Sequence, residues 1–120
     1  MMTLKKAKEL LYEFGAENNG CKRGQKFLQT DMSPTQLFEF VLRNMGDSIG
    51  AELRRKEFFK EVLDFFCKEF DPDKYNWEKH SWAVARHCPK KLDPERYNWK
   101  DHSWAVAEYC PEKMVLRPKK

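Results

Sequence analysis

At 120 residues, with 41% hydrophobic and 14% aromatic content, the chain has the composition of a folded domain and not of a disordered tail. The net charge of +4 sits at the ends: residues 1–30 carry +3, residues 31–69 carry −2, residues 70–113 balance, and Arg117, Lys119 and Lys120 add +3. That distribution argues against an extended basic groove for nucleic acid along the second half. No apolar run is long enough to span a bilayer, and the opening MMTLKKAKELLYEFG lacks the continuous apolar stretch of a signal peptide. Cys21, Cys67, Cys88 and Cys110 form no CxxC pair, so a reduced, cytoplasmic protein is expected.

The spacing of Leu4, Ala7, Leu11 and Phe14 predicts a first helix, capped by Thr3 and ended by Gly15. Asn18-Asn19-Gly20 reads as a loop, and Cys21 to Gln29 as a short helix weakened by Gly24. Met32-Ser33-Pro34-Thr35-Gln36-Leu37 is the clearest local signal. Ser33 is an N-cap, Pro34 the first helical residue, Gln36 the partner in a capping box, and Met32 with Leu37 a hydrophobic staple. This third helix is expected to run to about Met45 and stop at Gly46. A fourth is expected from about Ser48 to Phe70, apolar along Phe58, Phe59, Val62, Leu63, Phe65, Phe66 and Phe70, with a polar first half at Arg54, Arg55 and Lys56.

The remainder is one unit written twice. FDPDKYNWEKHSWAVARHCPKK is followed without a gap by LDPERYNWKDHSWAVAEYCPEK, a period of 22 residues, and 13 of the 19 positions from Asp71 to Pro89 recur from Asp93 to Pro111. Periods of this length mark helical arrays, in which one unit cannot bury its apolar face alone. Asp-Pro opens a short helical turn, Asn76 and Asn98 cap the main helix, and Pro89 and Pro111 close it. At about 100° per residue, Trp77, Ser81, Val84, Ala85 and Cys88 share the inward face, Trp82 flanks it, and Lys79 and Arg86 point outward. All four tryptophans are expected to be largely buried. The end of the fourth helix, Cys67 to Pro72, reads as a degenerate preceding unit.

The expected fold is therefore all-α. An N-terminal helical bundle (1–69) continues into two stacked 22-residue helical repeats (70–91 and 92–113, closed by Met114), followed by a basic tail (115–120). No phosphate-cradling glycine motif, GxSxG or HExxH occurs. No His or Cys pair has zinc-finger spacing, and His80 and His102 recur together, as structural histidines would. No cofactor, metal or catalytic residue is assigned, and the chain is read as non-enzymatic.

The YNWxxxSWAVAxxCPxxLDP pattern, over about the last 45 residues, resembles tandem repeats of small bacterial and phage proteins. By type, the chain is similar to phage-encoded inhibitors of bacterial immunity such as anti-CRISPR proteins. That resemblance implies an inhibitor acting on a bacterial defence complex such as CRISPR–Cas.

Read from the residues, the chain is a protein-binding module, an inhibitor or adaptor. The alternative is a nucleic-acid-associated protein using its basic ends, whose affinity would fall steeply with salt. The positions that differ between the two units are free of the packing constraint. Lys79, Arg86, Asp101 and Glu108, beside His87 and Tyr109, are therefore the candidate partner-binding residues, with Arg54, Arg55 and Lys56 as a second candidate surface.

Overall fold

The structure is a computed structural model and describes residues 2–17, 22–44 and 48–118. Among these, every regular element is helical: α1 (Leu4–Glu17), α2 (Lys22–Leu28), α3 (Pro34–Arg43), α4 (Ser48–Arg54), α5 (Glu57–Glu69), α6 (Trp77–His87) and α7 (Trp99–Tyr109). Short 3₁₀ turns follow at Pro89–Lys91 and Pro111–Leu116. The chain divides into two compact units, Met1–Asp71 and Pro72–Lys120. No helix is long and apolar enough to cross a membrane among the described residues.

In the first unit α1 packs on α2, and α5 packs on both α3 and α4. Ala7, Leu11 and Phe14 form the buried stripe of α1, and Thr3 Oγ1 accepts from the Lys6 N–H at 3.1 Å as its cap. The helix does not stop at Gly15 but continues to Glu17, because glycine in right-handed helical geometry costs only about 1 kcal/mol. Gly24 in α2 has a packing reason: a Cβ there would meet the Phe40 ring at 3.3 Å, and that ring stacks on Phe27 at 4.8 Å. The Ser33 capping box forms as read, with the Ser33 N–H donating to Gln36 Oε1 at 2.8 Å and the Gln36 N–H to Ser33 Oγ at 3.2 Å. α3 closes at Asn44; the expected stop at Met45 and Gly46, the loop at 18–20 and Cys21 lie outside the described residues.

The expected fourth helix is two helices. Lys56 is extended (φ −76°, ψ 137°) and separates α4 from α5. Leu53 lies six residues before Phe59, about 240° around a straight helix, and nearly opposite Val62. The break allows Leu53, Phe59, Val62 and Phe66 all to be buried. In α5, Phe66 stacks on Phe38 of α3 at 4.9 Å, and Phe70 meets Phe38 edge-on at 5.9 Å. Buried Thr35 is satisfied by the Asp71 N–H at 2.6 Å.

In the second unit α6 and α7 pack on each other. Asn76 Oδ1 accepts from the Lys79 N–H and Asn98 Oδ1 from the Asp101 N–H, each at 3.1 Å. The Asp-Pro segments form tight turns and not the expected turn of helix. Both main helices kink where His80 (φ −125°, ψ 19°) and His102 (φ −122°, ψ 15°) leave helical geometry. The Tyr75 hydroxyl donates to the His80 carbonyl and the Tyr97 hydroxyl to the His102 carbonyl, each at 2.6 Å. Trp77 and Trp99 donate their indole N–H groups to the carbonyls of Pro72 and Pro94, each at 2.8 Å. A buried backbone acceptor or indole donor without a partner is costly, so these bonds explain why the tyrosine and the first tryptophan of each copy recur unchanged.

The reduced state expected of the cysteines does not hold throughout. Cys67 is disulfide-bonded and so is Cys88, whereas Cys110 is a buried free thiol. Disulfide bonding depends on the separation and direction of the two Cβ atoms, which spacing along a chain does not reveal.

Candidate interaction surface

Lys79 and Arg86 on α6 and Asp101 and Glu108 on α7 are all exposed. Among the recurring residues of the same helices, Val84, Val106, Ala83 and Ala105 are fully buried. His87 is half-buried. Tyr109, its counterpart in the second copy, is 39% exposed. Of the six, Arg86 and Tyr109 are brought together. The guanidinium carbon lies 5.2 Å from the centre of the Tyr109 ring, within cation–π range. This contact holds the arginine over an exposed aromatic face and leaves guanidinium donors for another molecule. Asp101 is partly engaged, since its Oδ2 accepts from Asn98 Nδ2 at 3.3 Å.

Arg54, Arg55 and Lys56 lie at the α4–α5 break in the first unit and are exposed. Arg55 pairs with Glu52 at 3.0 Å, an exposed pair worth less than about 1 kcal/mol and readily exchanged for another anion.

Two neighbouring features escaped the sequence reading. Trp104 is not buried: it is 51% exposed, in contrast to Trp77 and Trp99, while Trp82 is half-buried. The large exposed hydrophobics among the described residues are Trp104, Tyr109, Val115 and Leu116, all in or after α7. The second feature is the Tyr97–His102–Cys110 group. Burial raises the Tyr97 hydroxyl above its usual pKa, and Cys110 adds to this. Burial also raises the Cys110 thiol, with Glu112 adding and Lys113 opposing. A thiol held protonated is a poor nucleophile. Among the described residues no three His, Cys, Asp or Glu converge as metal ligands would.

His102 Nδ1 is buried without a hydrogen-bond partner in the structure. Burial lowers the imidazole pKa, against an opposing pull from Asp101. The unfolded chain therefore takes up the proton first, at about pH 6.5. Stability from this group is complete above that pH and is lost as pH falls through the lower folded value. Thermal midpoints measured from pH 7.5 to 5 should fall, and His102→Gln should flatten the decline; parallel curves for the two proteins would exclude His102 as a source of it.

Comparison with known protein families, with curated proteins and with solved structures finds no match.

Proposed function

We propose that residues 70–113 are two stacked 22-residue helical repeats and that the chain is a non-enzymatic protein-binding module, an inhibitor or adaptor. The observation that carries this reading is the exposure of the positions that vary between copies, Lys79/Asp101 and Arg86/Glu108, on helices whose recurring Ala83/Ala105 and Val84/Val106 are buried. Such a pattern of opposite charges beside an aromatic suits orientation of a protein partner, the charges steering encounter and the ring anchoring it. Arg86 poised over Tyr109 is the centre of that surface. The resemblance to phage-encoded inhibitors makes a bacterial defence complex, such as CRISPR–Cas, the first target class to probe.

The test is capture of a partner by the tagged chain, compared with the double reversal Arg86→Glu with Glu108→Arg. Loss of at least tenfold in capture, with the unfolding midpoint kept within a few degrees, is the expected result. Capture that survives this reversal and disappears on replacing Arg54, Arg55 and Lys56 with glutamate would move the working surface to the α4–α5 break.

A further inference from the structure

The positive charge of residues 1–30 is not spread along them. Lys5, Lys6 and Lys8 of α1 are balanced in number by Glu9, Glu13 and Glu17, so the whole excess falls on Lys22, Arg23 and Lys26 of α2. At about 3.6 residues per turn these three share an arc of about 100° within about one turn of rise, and all three are exposed. The rest of α2 is turned inward. Leu28 is buried and Phe27 stacks on Phe40 at 4.8 Å. A Cβ on Gly15 of α1 would meet Gln25 Cγ at 3.7 Å, and one on Gly24 would meet the Phe40 ring at 3.3 Å. Packing thus accounts for Gly24, Gln25, Phe27 and Leu28. It does not account for the cations, which work against their own helix. Lys22 and Lys26 stand four residues apart, where like charges destabilise a helix, and a helix of seven residues has little stability of its own. No carboxylate occurs in the sequence between Glu17 and Asp31. The ion pairs among the described residues belong to Arg55 and Arg96, not to these three.

We propose that the outward face of α2, Lys22, Arg23 and Lys26, contacts the phosphate backbone of nucleic acid. The occupant follows from what this arc carries and what it lacks. Phosphates are held by charge and hydrogen-bond donors without apolar contact. Arg23 offers a planar fork suited to a phosphate, and the two lysines offer point charges. A helix that lies on a bilayer inserts apolar side chains beside its cations, and a protein interface is anchored by aromatic or aliphatic groups at its centre. The apolar side chains of α2 are committed to the interior instead. Contact of this kind positions a duplex and reads no base sequence. The surface lies in the first unit and is independent of the Arg86–Tyr109 reading.

The probes are short labelled duplexes of mixed sequence, one DNA and one RNA, titrated with the full chain and followed by fluorescence anisotropy. Saturable binding to at least one is expected. For DNA, three neutralised phosphates predict an affinity about 40-fold lower at about 200 mM salt than at about 50 mM. Replacing Lys22, Arg23 and Lys26 together with glutamine should weaken binding at least tenfold. The same change should leave the unfolding midpoint unchanged or raise it, because the repulsion goes with the charges. Replacing Arg117, Lys119 and Lys120 with alanine, or reversing Arg86 and Glu108, should alter binding less than threefold. Absence of binding to both duplexes at low salt overturns the proposal, as does binding that survives the α2 change and disappears with the tail. A midpoint lowered by the α2 change overturns it too, since the cations would then serve the fold. So does equal or tighter binding to phosphatidylserine vesicles or to polyglutamate, which would make the surface one for lipid or for acidic protein.

Discussion

Replacing Trp99 with alanine is expected to cost about 3–5 kcal/mol of folding stability, and Trp104→Ala less than about 1 kcal/mol. The two indoles share a helix but not an environment. Trp99 is buried, stands 4.8 Å from the Tyr97 ring and donates to the Pro94 carbonyl. Removing it leaves a large cavity and a carbonyl without its donor. Trp104 is half in solvent, so its loss exposes little. Urea unfolding of both variants checks the contrast. A Trp99→Ala penalty below about 1 kcal/mol would show that the second unit does not depend on its indole.

Phe66→Ala should be comparably damaging in the first unit, again about 3–5 kcal/mol. Phe66 is fully buried and stacked on Phe38, which in turn meets Phe70. The ring pair contributes about 0.5–1.5 kcal/mol beyond area burial. Phe66→Leu, which keeps most of the volume, should recover more than half of the loss. The same denaturation experiment decides it: equal penalties for alanine and leucine would mean that ring stacking, not filled volume, holds α3 to α5.

How much of this was readable beforehand depended on how local each cause is. The Ser33 capping box and the Asn76 and Asn98 caps involve atoms three residues apart, and sequence alone located them. The all-α class followed from the 3.6-residue spacing of apolar positions. The α4–α5 break did not, because it arises from the angular conflict between Leu53 and Val62, visible only once both are known to be buried. Trp82 and Trp104 occupy identical local sequence, SWAVA, yet differ in exposure. Pattern within a copy therefore does not fix exposure. Of the candidate surface, the exposure of Lys79, Arg86, Asp101 and Glu108 was legible from their variation. The approach of Arg86 to Tyr109 was not, since it joins positions 23 residues apart through packing. The tyrosines were overlooked, although an unchanged Tyr five residues before an unchanged His in both copies was the available signal.

Each copy carries the partners for its own costly groups. The Tyr97 hydroxyl, the Trp99 indole and the Asn98 carboxamide oxygen all find partners between Pro94 and His102, as their counterparts do between Pro72 and His80. A misaligned crossover between the two stretches of the gene would therefore delete or add a whole copy without stranding these donors and acceptors. Variation in copy number would then be a heritable way to change the length of this stretch by one self-sufficient increment at a time.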